Sequence, residues 1–249
     1  MEIVMFDLNV GGLLFYLVNH HGWNYTATLL CFFAFSIIVS YLLGSMNTAI
    51  VVSRLFYRDD IRNHGSGNAG LTNVLRTYGA KAAVFTLLGD ILKTVIAIGI
   101  TGTLLGFYYH RGMSAGDGYC YVSGLFVMLG HVFPVYYKFK GGKGVLVTAT
   151  MVLMLSPITF AILFTVFVIL VASSKYVSLG SVVSAVLYPV VIHGYTAVAY
   201  VPLHGLISAS AIILAILIVW CHRENLQRIS DRTERKLSFK KKAEDDKDA

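Results

Sequence analysis

Long apolar runs separated by short polar interruptions occupy most of the chain. They fall at about residues 32–56, 80–108, 119–137, 145–155, 158–172, 179–193 and 206–221. Read as helices, they predict an all-α, polytopic integral membrane bundle of about seven transmembrane helices. The fourth to sixth runs are shorter than the ~20 residues of a full crossing, which requires tilt, a thin stretch of bilayer or a partly re-entrant path.

Composition strengthens this picture. Hydrophobic residues make up 56% and charged residues 13% of the 249 positions, and the mean hydropathy is +0.69, far from the balance of a water-soluble domain. Between Gly144 and Trp220 the only charged side chain is Lys175. No soluble fold needs so long a stretch without a solvated face, so the lipid bilayer must cover it. Short interruptions leave room for one domain, 29–235. Residues 1–28 form an N-terminal extension whose apolar stretch, 10–18, lacks the positive n-region of a cleaved signal peptide and is expected to lie at the outer interface. Residues 236–249 read as a charged, flexible tail. Cys31, Cys120 and Cys221 stand singly in apolar runs and fit small buried hydrophobes better than disulfides or metal ligands.

Charge sets the expected orientation. With the N-terminus outside, Arg54, Arg58, Arg62, Arg76 and Lys81 fall on the first inner loop, and Lys138, Lys140 and Lys143 on the second. Lys175 and the basic residues beyond Trp220 are then inside too, while Arg111 alone is outside and Lys93 lies within a span. Positive residues flanking spans fix topology, so the C-terminus is expected to be cytoplasmic.

Three polar clusters interrupt the apolar pattern, and all face the cytoplasm in this topology. GSGNAG contributes Gly65, Ser66, Gly67, Asn68 and Gly70, with Asn73 shortly after. Its glycines let backbone N–H groups converge on an anion, and the two asparagines can add side-chain amides. The same letters match a dinucleotide fingerprint with Asp90 about 20 residues on. That motif needs a strand before it inside a parallel sheet, whereas an apolar span precedes it here. Arg76 follows two or three turns later with a fork suited to phosphate, although an interfacial arginine is the plainer alternative. In KFKGGKG, Gly141, Gly142 and Gly144 surround Lys143 and would expose backbone donors where the fourth segment begins, so an anion there would meet both a helix N-terminus and an ammonium. A Walker motif is excluded, because Gly144 stands where Ser or Thr is required. In HREN, His222 and Asn225 share a helix face. They are suited either to proton transfer and hydroxyl orientation or simply to stopping a helix among headgroups.

Asp90 and Lys93, three apart in a span, are placed to neutralise each other. His131 reads as a packing histidine. No residues stand at metal-ligand spacing, and neither a metal nor a cofactor is expected.

Taken in order, GSGNAGLTNVLR, GHVFPVYYKFKGGKGV and HREN resemble the signature regions of the bacterial acyl-phosphate:glycerol-3-phosphate acyltransferases, the PlsY family. The resemblance runs from Gly44 to Glu234. It implies a seven-helix fold and an activity at the cytoplasmic face of the bacterial cell membrane. That activity is transfer of a fatty acyl group from acyl phosphate to the sn-1 hydroxyl of glycerol 3-phosphate, giving lysophosphatidic acid and inorganic phosphate at the first step of phospholipid synthesis. Carried over position by position, its site residues are Ser66, Arg76, Lys143, Ser181, His222 and Asn225. One assignment has GSGNAG, Lys143 and Ser181 hold the acyl phosphate while Arg76, His222 and Asn225 place the acceptor. The two phosphates can also be exchanged, and the base is either His222 or a phosphate oxygen of the acceptor. The expected partners are acyl phosphate, glycerol 3-phosphate, the bilayer and the enzymes that supply acyl phosphate, with no nucleic acid. Two positions depart from the family pattern: the proline after the first Gly-Ser is absent in GSMNTA, and Arg232 replaces the glycine before the last Thr-Glu.

Two rival functions make different demands. An acyltransferase using acyl-CoA or acyl carrier protein through His and an Asp five positions later lacks that pair here. A transporter of organic anions predicts sites near mid-bilayer and an internal repeat, whereas these clusters gather at one face.

Overall fold

A computed structural model describes residues 2–106, 115–198 and 204–237, with side chains for most of them, and no strand occurs among the described residues. The helices are α1 (Glu2–His21), α2 (Tyr25–Ser45), α3 (Thr48–Tyr57), α4 (Leu71–Tyr78), α5 (Ala80–Leu105), α6 (Ala115–Val132), α7 (Val145–Leu155), α8 (Pro157–Ser174), α9 (Val177–Val198), α10 (His204–Cys221) and α11 (Arg223–Ser230). Two 3-10 turns, Ile61–Asn63 and Val135–Tyr137, lie in the loops that matter for the site.

Among the described residues, five stretches are long and apolar enough to cross a bilayer: Tyr25–Tyr57, Ala80–Leu105, Gly118–Tyr137, Pro157–Ser174 and Val177–Ala197. A sixth, Gly205–Cys221, bends by 52° into Arg223–Ser230. The eleven residues of α7 rise only about 16 Å, half of a typical hydrocarbon core. The helix is instead packed between α5, α6 and α8 with Val147 and Met151 fully buried and Leu153 exposed. The seven predicted apolar segments thus divide into five stretches long and apolar enough to cross, a bent sixth and one short helix packed largely against protein.

The first predicted segment is two helices. Asn47 breaks it: its side-chain oxygen accepts from the Ile50 amide at 3.2 Å, and its side-chain nitrogen donates to the Ala69 carbonyl at 3.2 Å. An N-cap asparagine can therefore open the helix where the family pattern has proline. Residues 2–21, read from sequence as an interfacial extension, form α1 packed against α2 and α5. Gly12 adopts φ 65°, and a Cβ there would lie 2.4 Å from the Gly106 amide nitrogen, so α1 approaches the end of α5 backbone to backbone. The predicted end of the second span at Tyr108, Arg111 of the outer loop and the tail from 238 lie outside the described residues.

The core is a cluster from α5, α6, α7, α9 and α10 that includes Ile98, Met128, Met151, Ile192 and Leu214. Phe35, Ile38, Leu92, Ile169, Val190 and Ile216 are exposed, as befits helix faces that meet lipid rather than water. Burying apolar surface gives little drive between helices in lipid, so close packing and polar contacts must hold them. The α2–α6 pair does both. A Cβ on Gly44 or Gly130 would come within 2.2 Å of a carbonyl oxygen on the other helix, and Ser40 and Ser123 share a hydrogen bond at 2.6 Å.

Candidate active site

The three polar clusters meet around a cavity of about 540 Å³, whose wall includes Asn68, Gly70, Lys143, Gly144, Ser181 and His222. Each cluster is built by a different local device.

In the first loop the organiser is Asn73, buried in the first turn of α4. Its amide nitrogen faces the carbonyls of Ile61, His64 and Asn68 at 3.2, 2.9 and 3.1 Å, and its oxygen accepts from the Ser66 amide at 3.1 Å. The Gly67 and Gly70 amides donate to the carbonyls of His64 and Asn68. The expectation that Asn73 and the amides of Ser66, Gly67 and Gly70 form an open anion nest therefore needs correction: these donors shape the loop itself. Gly65 is required because a Cβ would lie 2.2 Å from Asn73 Oδ1. What the loop presents to the cavity is the start of α4, at Gly70, Leu71 and Thr72, with the Asn68 side of the turn.

The second loop follows the same logic. The Gly141 and Gly142 amides donate to the carbonyls of Val132 and His131 at 3.1 and 3.0 Å. They too are not free donors, correcting the sequence expectation. Both residues are glycine for space: a Cβ would meet the His131 carbonyl at 2.0 Å or His131 Nε2 at 2.2 Å. This docking against the end of α6 directs Lys143 inward, where its ammonium donates to Asn225 Oδ1. Gly144, at φ 75°, starts α7 beside the cavity. Burial, then the nearby Arg228 guanidinium, lowers the Lys143 pKa below its ordinary value.

The third cluster turns the corner between α10 and α11. His222 is 4% exposed, and its Nδ1 lies 2.8 Å from the Ile218 carbonyl. A carbonyl only accepts, so Nδ1 carries the ring proton and Nε2 is left with a lone pair. Burial pushes the His222 pKa down to about 4, which keeps the ring neutral in ordinary buffers. Asn225 faces two ways, accepting from Lys143 and donating to Glu234 Oε1 at 2.6 Å. Glu234 also accepts from Ser178 Oγ and Arg228 Nε, each at 2.8 Å. Burial alone would raise the Glu234 pKa, but these hydrogen bonds outweigh it and lower it.

Of the six residues carried over by resemblance, Lys143, Ser181 and His222 line the cavity and Asn225 is bonded to Lys143. The Ser181 hydroxyl donates to the Val177 carbonyl at 2.9 Å and keeps its acceptor side. Ser66 and Arg76 are exposed and do not line the cavity. Arg76 instead reaches the Arg235 carbonyl at 3.5 Å. Away from this polar end, α7 and α8 supply an apolar wall of Val152, Leu153, Phe160, Leu163 and Phe164.

A family profile described as Glycerol-3-phosphate acyltransferase matches residues 34–232. The chain belongs to that family. It is 39% identical over 222 residues to a glycerol-3-phosphate acyltransferase of Mycoplasmopsis agalactiae, covering 80% of this chain and 91% of the relative. To the Bacillus subtilis enzyme of the same name it is 37% identical over 207 residues, covering 83% and 98%. Among solved structures it is similar to PlsY, an integral membrane glycerol 3-phosphate acyltransferase, in its glycerol 3-phosphate form. That likeness has a TM-score of 0.71 at 32% identity and covers 83% and 96% of the two chains. The lysophosphatidic acid form gives 0.68 at 30% identity.

For this acyltransferase, the sequence reading missed the residues that hold others in place. Arg62, read as a topogenic charge, donates to Asp60 at 2.7 and 2.8 Å and to the carbonyls of Tyr137 and Lys140 at 3.0 and 3.1 Å, which ties the first loop to the second. The Arg62 guanidinium holds the Asp60 carboxyl well below the usual range. Glu234 and Ser178 were likewise not singled out. Glu224, the carboxylate nearest to His222 in sequence, points outward towards Arg223 and Arg228.

Proposed function

We propose that this chain transfers a fatty acyl group from acyl phosphate to the sn-1 hydroxyl of glycerol 3-phosphate at the cytoplasmic face of a bacterial cell membrane. One observation carries the reading: a single cavity joins a lysine, a neutral histidine and two helix starts to a wall of leucine and phenylalanine. Phosphate groups need the first part, a long acyl chain the second. Strongly asymmetric lysine and arginine placement supports the cytoplasmic orientation.

In this reading the acyl chain lies along α7 and α8, with its carbonyl near Lys143 and Ser181. His222 Nε2 takes the proton from the sn-1 hydroxyl as that oxygen bonds to the acyl carbon. The bond from that carbon to the phosphate oxygen breaks, and phosphate leaves with the electron pair. Lys143 and the start of α7 stabilise the charge gathering on the leaving phosphate. A mixed anhydride already carries a good leaving group, so orientation and charge stabilisation suffice without a covalent serine. Ser66 and Arg76 act at the mouth, where Arg76 guides an anionic acceptor towards the cavity.

The test is to incubate the purified protein with palmitoyl phosphate and glycerol 3-phosphate and measure lysophosphatidate and inorganic phosphate. Equimolar product formation is expected, with about a hundred-fold or greater loss in Lys143→Ala. Product from palmitoyl-CoA but not from palmitoyl phosphate would reject the donor assignment.

A further inference from the structure

A buried polar triad adjoins the site without a part in the mechanism above. Asp90, Lys93 and His131 are 1%, 6% and 4% exposed, yet Asp90 and His131 belong to the wall of the same cavity as Lys143. Lys93 Nζ has four acceptors around it: Asp90 Oδ1 at 2.8 Å, His131 Nδ1 at 3.0 Å, and the carbonyls of Gly44 and Met46 at 3.1 and 3.3 Å. An ammonium has donors and no acceptor, so His131 Nδ1 must accept and the imidazole proton resides on Nε2. Asp90 Oδ1 is further engaged by the Thr48 hydroxyl at 3.0 Å. Among the described residues, no protein hydrogen bond is formed by Asp90 Oδ2 or His131 Nε2.

His131 Nε2 lies against Gly142, the neighbour of Lys143, so the wall that His131 and Asp90 share offers an N–H donor and a carboxylate acceptor close to that lysine. A carboxylate repels phosphate, and an acyl carbonyl has no proton to give it. The group that donates and accepts at once is a hydroxyl. We propose that His131 and Asp90 bind the second hydroxyl of the acceptor, at C2, and that Lys93 is the positioning residue that fixes the His131 tautomer and holds both to the α2–α3 break. This rests on the proposed acceptor being glycerol 3-phosphate. It makes the buried pair a determinant of which phosphorylated alcohol is used, because a site with buried polar groups rejects an analogue that leaves them unpaired.

The experiment compares kcat/KM for glycerol 3-phosphate with that for 3-hydroxypropyl phosphate, which keeps the phosphate and the reacting hydroxyl but lacks the one at C2. The intact protein is expected to prefer glycerol 3-phosphate by about ten- to a hundred-fold. In His131→Phe the preference is expected to collapse to within about threefold, and His131→Gln, which restores an N–H donor, to recover part of it. Equal use of both acceptors by the intact protein overturns the proposal, as does an undiminished preference in His131→Phe. Equal use overturns the proposal without any variant, and where His131→Phe does not fold, Asp90→Asn is expected to shrink the preference in its place, an unchanged preference there overturning the proposal too. Acylation of neither acceptor would instead reject the function proposed above.

Discussion

His222 leaves a single nitrogen for chemistry, because the other is held by the Ile218 carbonyl. With its pKa pushed down to about 4 by burial, the ring stays neutral and able to take a proton until the pH falls through that value. The phosphate of the acceptor, with a second pKa of about 6, would lose its basic form two units earlier. The contribution of His222 to the acid limb of kcat/KM, which reports the free enzyme, is therefore expected near pH 4. A limb near pH 6 that persists in His222→Ala would assign the base to the substrate instead. A second residue-scale consequence concerns Arg232, which sits at φ 58° where the family pattern has glycine. A left-handed conformation costs a side-chain-bearing residue about 1 kcal/mol. Arg232→Gly is expected to raise the thermal midpoint in detergent by a few degrees, and an unchanged or lower midpoint would show that the arginine's contacts offset the strain.

At the scale of helices, the α2–α6 contact decides whether the bundle closes. A Cβ on Gly130 would lie 2.2 Å from the Tyr41 carbonyl, whereas nothing lies within 4 Å of one on Gly99. Gly130→Leu is expected to abolish the monodisperse folded species on size-exclusion chromatography, while Gly99→Leu preserves it. Equal yields from the two would mean that α2 and α6 need not approach so closely. Helix positions were largely legible in the hydrophobic pattern: the run at 145–155 is α7 itself, and 206–221 differs from α10 by two residues. The split at Asn47 was not legible, since an apolar run hides a cap whose second partner, Ala69, lies 22 residues away.

For the whole molecule, the clusters singled out in the sequence do meet around one cavity, but their glycines serve them differently than expected. Composition marked GSGNAG and GGKG as unusual, and Lys143, Ser181, His222 and Asn225 do converge. The amides, however, are engaged within the protein, that of Ser66 by Asn73, those of Gly67 and Gly70 by carbonyls of their own loop, and those of Gly141 and Gly142 by the end of α6, and glycine content alone does not reveal such partners. The Asp90–Lys93 pair was legible from its spacing and meets at 2.8 Å, but that His131 joins it was not, and Arg62 and Glu234 look like ordinary charges until the fold shows what they face. The bundle thus uses buried charge as scaffolding as well as chemistry, consistent with the cost of leaving such groups unpaired within a membrane.

Glu234 receives hydrogen bonds from Ser178, Asn225 and Arg228, and the Leu237 amide donates to the Lys175 carbonyl at 2.8 Å. Residue 234 follows α11, so synthesis imposes an order of events. The stretch beyond α11 must have left the ribosomal exit tunnel before Asn225, which accepts from Lys143, can donate to that carboxylate. Until then the corner between α10 and α11 lacks the group that braces it.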